Sequence, residues 1–336
     1  MSLTFAIIGC GNIGTRHAQY IQAVGKLEAV CDIDKEKAEG LAKKYSCNVF
    51  SSLDDLLNSN ERPDIMVVCT PNGLHAEHTI MSLKAGCHVL CEKPMAIRSA
   101  DCLQMISESK RSGKKIFVVK QNRFNPPVTT VKKLLNENRL GKIFSIQLNC
   151  FWNRDAKYYD SKWKGTADMD GGILYTQFSH FIDLLYWMFG EVKQVNTLRK
   201  NFSHQDTIEF EDAGVAILEF ENGIIGTINF TINSFEKNME GSLTIFGENG
   251  TVKVGGQYLN VLEYQRIKGY EIKDLPKGNT ANDYGSYEGS MSNHDKVYGN
   301  LVEVLNNNAP MIASSYDGLK TVEIIEKIYN ASPVNI

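Results

Sequence analysis

Gly9-Cys10-Gly11-Asn12-Ile13-Gly14 follows directly on the apolar run Thr4-Phe5-Ala6-Ile7-Ile8, and few folds accommodate that juxtaposition. A short apolar run without polar alternation is expected of a strand buried on both faces. The first glycine permits a tight turn and the second lets a pyrophosphate approach the backbone. The third lets the following helix, about residues 13 to 24, pack on the strand with its amino end toward the phosphates. A second strand, Leu27-Glu28-Ala29-Val30-Cys31, ends in Asp32, 18 residues past Gly14. A carboxylate there accepts hydrogen bonds from ribose hydroxyls and repels a 2′-phosphate, so NAD is expected rather than NADP. Gly9, Gly11, Asn12, Ile13, Gly14 and Asp32 are the first candidate cofactor residues. Asp34 reads either as a second acceptor or as the N-cap of a helix starting near Lys35.

The strand–helix alternation continues. Ser51-Ser52 caps a short helix over 53–58, and Ile65-Met66-Val67-Val68-Cys69 is another buried strand. It ends in Thr70-Pro71-Asn72-Gly73-Leu74-His75, a loop at a carboxyl strand end, so Thr70, Pro71, Asn72 and His75 face the expected cofactor crevice. A helix over about 76–85 and the run Cys87-His88-Val89-Leu90-Cys91 lead into Glu92-Lys93-Pro94. Lys93 thus stands at a strand's carboxyl end, beside a proline that stops the strand. A helix over 99–112 and a strand over 116–120 complete a doubly wound parallel sheet, the Rossmann arrangement. His75 and His78, three apart, have metal-ligand spacing, but no third ligand cluster accompanies them and a helix start explains both. No metal is expected.

At 336 residues the chain is too long for one typical core, and two domains are expected. The polar break Gln121-Asn122-Arg123-Phe124-Asn125, followed by Pro126-Pro127, marks the crossing: 1–122 for the nucleotide-binding domain, 123–336 for substrate binding and oligomerisation. With 36 basic and 39 acidic residues, the net charge of -3 offers no bulk field for nucleic acid or an anionic membrane. No signal peptide or membrane helix fits the N-terminus. Eight scattered cysteines without a Cys-x-x-Cys pair read as buried thiols of a cytoplasmic protein.

Past the crossing, 128–138 reads as a helix, and 143–151, 192–198, 213–220 and 224–232 read as long strands. Asn222-Gly223 and Asn249-Gly250 signal hairpins in which both turn positions take positive φ. The second domain is therefore expected to be α+β, a mostly antiparallel open sheet with helices on one face. Two helices, over 293–306 and 316–330, close the chain. The uncovered face makes a homo-oligomer, dimer or tetramer, the expected state. Paired glycines at Gly171-Gly172 open a helix whose apolar residues recur at Leu174, Phe178, Phe181, Leu185 and Met188. Thr176, His180 and Asp183, spaced i, i+4, i+7, fall on one stripe of it. A polar stripe on an apolar helix must be satisfied or functional, and His180 reads equally as a core histidine or a catalytic one.

Taken in order, Gly9-Cys10-Gly11-Asn12-Ile13-Gly14, Glu92-Lys93-Pro94 and Gly171-Gly172 with His180 and Asp183 resemble the glucose–fructose oxidoreductase, inositol dehydrogenase and MocA (Gfo/Idh/MocA) family. The resemblance covers nearly the whole chain. Val119 to Pro126, Trp163-Lys164-Gly165-Thr166 and Met169-Asp170-Gly171-Gly172 look like the WlbA-type subgroup, which oxidises C3 of UDP-N-acetylglucosaminuronate. The resemblance implies NAD-dependent oxidation of a secondary sugar hydroxyl, with Lys93 and His180 catalytic. It adds Glu92, Lys93, Gln121 and Trp163 to the cofactor residues, and implies Lys93, Asn122, Arg123, Thr176, Gln177 and His180 as substrate residues. The alternatives beside it are dehydrogenation of a free sugar or inositol, and a non-catalytic regulator on the same fold, against which the presence of both Lys93 and His180 argues. Many family members carry Asp where this chain has Thr176, which cannot act as a carboxylate base, so more of the proton transfer falls on Lys93 and His180. Histidine serves as a base near its ordinary pKa of ~6.5, whereas lysine needs lowering by about three units, roughly 4 kcal/mol. Arg123, Arg154, Lys157, Tyr158, Tyr159 and Lys164 are candidates to meet a carboxylate or pyrophosphate, against a reading as solvated surface; Arg123 carries most weight because it follows the crossing.

Overall fold

The computed structural model describes residues 2–331 apart from Glu61, Tyr284, Ser286 and Tyr287. The chain forms two compact units: residues 1–120 with 294–322, and residues 121–293 with 323–336. The first contains β1 (Leu3–Ile8), α1 (Asn12–Ile21), β2 (Gly25–Cys31), α2 (Lys35–Tyr45), β3 (Asn48–Phe50), α3 (Leu53–Asn58), β4 (Ile65–Val68), α4 (His75–Lys84), β5 (His88–Cys91), α5 (Ser99–Ser112) and β6 (Ile116–Val118). All five strand pairings are parallel, in the order β3-β2-β1-β4-β5-β6. The order reverses between β1 and β4, and the carboxyl ends of these strands open the crevice in which such sheets bind ligands. Phe5, Ala6 and Ile7 on β1 and all four residues of β4 are wholly buried, as strands covered by helices on both faces require. Ser52 caps α3, its hydroxyl accepting the Asp55 N–H at 3.1 Å and donating to the Asp55 carboxylate at 2.6 Å. β3 lacks an apolar run and is not legible from pattern alone.

The second unit contains α6 (Pro126–Asn136), β7 (Ile143–Phe151), α7 (Ile173–Thr176), α8 (Ser179–Phe189), β8 (Val192–Lys200), β9 (Ala213–Phe220), β10 (Ile225–Thr231), β11 (Glu240–Gly247), β12 (Gly250–Gly255), β13 (Val261–Ile267), β14 (Ala281–Asp283) and β15 (Glu288–Met291). Seven strands form one sheet, β13-β12-β11-β7-β10-β9-β8, with only β7 and β10 parallel. The expected hairpins join β9 to β10 and β11 to β12. Their turns differ from the expectation of two positive φ values. At the first only Gly223 is positive (φ +83), closing on the Phe220 carbonyl, and neither Asn249 nor Gly250 is. One face of the sheet packs on helices, with Phe189 of α8 against Phe220 at 6.1 Å between ring centroids. Leu198, Val215, Ile217 and Ile225 lie exposed on the other face.

The closing helices are α9 (His294–Asn307) and α10 (Ser315–Ala331). The second domain is expected above to run unbroken from 123, whereas 294–322 cluster with the first unit. There Tyr298 packs edge-on against Phe5 (5.9 Å) and stacks on Tyr20 of α1 (6.3 Å). Lys120 Nζ donates to Thr321 Oγ1 at 2.9 Å. Burying a side chain such as Leu301 contributes roughly 1.5–3 kcal/mol to this docking. Among the described residues no helix is long and apolar enough to cross a membrane.

Candidate functional site

In the first unit the glycine turn meets the requirements of a bound dinucleotide. Gly9 has φ +95, and a Cβ there would stand 2.5 Å from the Cys69 carbonyl oxygen. A Cβ on Gly14 would strike the Gly9 carbonyl, so the close seating of α1 on β1 needs a glycine there. Gly11 faces open space, as an approaching phosphate requires. Asn12 and Ile13 open α1, which has neither a side-chain cap nor an acidic first turn, so its N–H groups and dipole remain for an anion. At the end of β2 the Asp32 carboxylate is held in place by N–H donors from Cys10 (2.6 Å) and Asp34 (2.8 Å). Asp34 itself is the N-cap of α2, accepting the Lys37 N–H at 3.3 Å. Burial, with Asp32 nearby, pushes the Cys10 thiol up to about 12, so it is no nucleophile.

The Thr70 loop and the Glu92-Lys93-Pro94 turn are braced together. The two ring nitrogens of His75 lie 2.6 Å from the Pro94 carbonyl and 2.8 Å from the Thr70 carbonyl, and burial lowers its pKa. His78 Nδ1 lies 3.0 Å from Thr70 Oγ1. His75 and His78 are thus both committed to the Thr70 segment, the former as a buried brace. Pro71 and Asn72 carry the loop into a single 3-10 turn over Asn72–Leu74. The Lys93–Pro94 peptide is cis. The Lys93 N–H donates to Glu92 Oε2 at 3.1 Å. Glu92 points inward: Oε1 lies 2.8 Å from His17 Nε2 and 3.5 Å from His294 Nε2, while His17 Nδ1 meets the Tyr298 hydroxyl at 2.8 Å. Burial opposes ionisation of Glu92, but the two histidines outweigh it and hold the carboxyl well below the usual range. The network fixes the backbone that carries Lys93. Sequence reasoning missed His17, His294 and Tyr298; His17 lies three residues past Gly14 on the buried face of α1, the one available signal.

In the second unit Gln121 and Asn122 begin a 3-10 turn, Gln121–Phe124. Asn122 is 1% exposed, and neither of its amide atoms, nor Gln121 Oε1, has a hydrogen-bond partner among the described residues. Arg123, expected to meet a substrate anion, is 3% exposed and forks onto Asp183 at 2.7 and 2.8 Å, its guanidinium over the Trp187 ring. The expected single helix from Gly172 is broken between α7 and α8. Phe178 has φ -110 and ψ 2, and its N–H reaches back to the Ile173 carbonyl, so Thr176 and His180 stand on separate turns. His180 lies buried in the first turn of α8.

Cations gather on a half-buried loop before α7. Arg154 lies between Trp152 (4.9 Å) and Tyr158 (5.1 Å), and Lys164 Nζ lies 3.7 Å from the Tyr158 ring centre. Gln177 ties them together, accepting from Arg154 Nε at 2.9 Å and donating to the Tyr158 hydroxyl at 2.8 Å. Burial pushes Lys164 down to about 8, against the attraction of Asp170. Asp170 is pushed up to about 6 by its own burial and accepts from Thr176 and from the Gly165 N–H. Trp163 stands beside this loop, its carbonyl accepting from Thr166 Oγ1 at 2.8 Å. Lys157 is exposed, and Tyr159 is buried with its phenol held above its ordinary pKa by that burial.

A parallel six-stranded nucleotide crevice followed by a largely antiparallel seven-stranded unit defines a two-domain oxidoreductase. Residues 3–120 match the oxidoreductase family with an NAD-binding Rossmann fold and 128–253 match the GFO/IDH/MocA C-terminal domain; the chain belongs to this family. Its cofactor is NAD, whose phosphates and ribose the Gly9–Gly14 turn, α1 and Asp32 fit. It is similar to the WlbA dehydrogenase from Bordetella pertussis, solved with NADH and UDP-GlcNAcA, at 33% identity over 98% of this chain and 96% of that one, TM-score 0.89. It is 30% identical to D-glucoside 3-dehydrogenase of Escherichia coli (strain K12) over 68% of this chain and 67% of the relative. A 2,7-anhydro-N-acetylneuraminate hydratase of the same organism is 28% identical over 82% of this chain and 76% of its own length.

Proposed function

We propose that the protein oxidises a secondary hydroxyl of a nucleotide-linked sugar acid, C3 of a UDP-N-acetylhexosaminuronate, using NAD in preference to NADP. The observation that carries this reading is a buried amide of the second unit without a hydrogen-bond partner among the described residues. A buried amide without hydrogen bonds costs about 1–3 kcal/mol, and Asn122 is retained in that state, which supports a polar ligand partner. Arg154 and Lys164, both against the Tyr158 ring, suit a carboxylate or phosphate. The likeness to a structure solved with UDP-GlcNAcA supports the same substrate class. Asp32, its side chain held in place by two N–H donors, supports NAD by repelling a 2′-phosphate.

Bound NAD supplies a hydride acceptor. The chain's own residues handle the hydroxyl proton: Lys93 and His180 share its abstraction and the stabilisation of the developing alkoxide, and Lys93 also orients the hydroxyl. Gln121, Asn122, Trp163, Thr176 and Gln177 contribute to binding. Eight free cysteines support a reducing, cytoplasmic setting. The exposed apolar face of the second sheet supports a homo-oligomer.

The test follows NADH absorbance with NAD or NADP against UDP-sugars, UDP-uronates, free sugars and inositols. UDP-uronates with NAD are expected to turn over fastest. Lys93→Ala and His180→Ala should each lower kcat by about a hundredfold or more. Faster turnover of inositol, or both variants within threefold of wild type, would overturn the reading.

A further inference from the structure

Thr176 and Asp170 are joined by a hydrogen bond across the glycine turn that precedes α7. The hydroxyl donates to Asp170 Oδ1, and the other oxygen of that carboxylate accepts the Gly165 N–H at 2.9 Å. Asp170 is 1% exposed, and Gly171 and Gly172, at φ +85 and +129, turn the chain so that it folds back onto Thr176. Thr176 is half-buried at the end of α7, the step before His180. A hydroxyl carries one proton and two lone pairs. With the proton committed to Asp170, the oxygen can only accept.

We propose that Asp170 is a positioning residue that acts through Thr176, fixing its oxygen as the acceptor for a hydroxyl or amide N–H of the substrate. This rests on the reading of α7 and α8 as substrate-binding elements. An anionic oxygen is then excluded at Thr176 and left to Arg154 and Lys164.

Asp170→Asn tests the polarity with little change of shape. The Gly165 N–H selects the amide oxygen, which leaves the amide nitrogen facing Thr176. That nitrogen donates to Oγ1 and displaces the hydroxyl proton, whose remaining acceptor on this residue is the main-chain carbonyl at a long 3.3 Å, so that the proton becomes available to the ligand. In the intact enzyme, KM for the sugar should rise about tenfold or more while kcat stays within about threefold and the NADH Kd within about twofold. Thr176→Val should give a similar KM, Thr176→Ser should recover most of it, and Asp170→Asn on top of Thr176→Val should add nothing. A KM for Asp170→Asn within threefold of wild type, or additive effects, would overturn the proposal. A second readout needs no turnover: the carbon-13 carboxyl titration of Asp170, assigned by its loss in Asp170→Asn. Losing a donor to the carboxylate should raise the midpoint in Thr176→Val by about half a unit or more, and an unmoved midpoint overturns the proposal. If wild type oxidises no sugar, the sugar reading fails, and the titration still decides the Asp170–Thr176 pair.

Discussion

At Asp170 burial drives the carboxyl up to about 6, against the Thr176 hydroxyl, the N–H groups of Gly165 and Gly172, and Lys164. The folded pKa therefore lies above the unfolded value, so the fold binds this proton more tightly than the unfolded chain does. Stability from this group is present at low pH and is lost as pH rises from the unfolded pKa near 4 through about 6. About two units correspond to roughly 3 kcal/mol at neutral pH. Asp170→Asn should thus raise Tm at pH 8 by several degrees and give no gain at pH 4, measured by thermal denaturation. A lower Tm at pH 8 would mean that the carboxylate's hydrogen bonds outweigh its burial. The same proton bears on KM, because a protonated Asp170 can donate to Thr176. KM of the wild type should rise as pH falls through about 6 by more than that of the Asn variant, which keeps only the part contributed by the His180 base. Lys164, at about 8, and the raised phenol of Tyr159 do not change charge there. His204, held above its ordinary pKa chiefly by its hydrogen bond with Asp212, lies against Tyr159 and titrates alike in both proteins.

Between α7 and α8 the sequence pattern and the structure part company for a definable reason. Leu174, Phe178, Phe181 and Leu185 keep helical spacing through the break, because one i+5 hydrogen bond displaces the phase too little to disturb an apolar stripe. The fold-back of Asp170 onto Thr176 is equally illegible, since it depends on two glycine φ values rather than on any period. The first unit was legible for the converse reason. Strands such as β1 and β4, buried on both faces, must be continuous apolar runs, and Gly9, Gly14 and Asp32 each answer to one steric or electrostatic demand. Arg123 followed the chain crossing as expected but turned inward, where it serves α8 instead of a ligand. Arg123→Ala would leave the Asp183 carboxylate buried without its bidentate partner, at a cost of about 3–5 kcal/mol. Urea denaturation should show the midpoint falling with little change in slope. Replacing both residues with leucine should recover much of the loss, whereas a single variant as stable as wild type would show the pair to be dispensable.

Across the whole molecule the chain changes unit at 120/121, at 293/294 and again at 322/323. Helical periodicity reported that α9 and α10 have apolar faces but not which sheet they cover, so the return of 294–322 was invisible in sequence. With α9 docked on the first unit, the sheet of the second carries a face where Leu198 pairs with Val215, and Ile217 and Ile225 lie on the same side. Ile217 is 56% exposed there, on β9, which has strand partners on both sides, so its exposure belongs to the sheet face and not to an edge strand. Contiguous exposed apolar surface of this kind marks an association site, and a two-fold copy of the same face is its simplest complement. The wild type should therefore be a dimer or tetramer at micromolar concentration by light scattering coupled to gel filtration. Ile217→Glu places a charge at the centre of the strip, where desolvating it costs several kcal/mol, and should shift the protein to monomer. NAD binding should be unaffected, since the Gly9–Gly14 turn and Asp32 belong to the first unit. A monomeric wild type, or an Ile217→Glu variant of unchanged mass, would show that this face is not the interface.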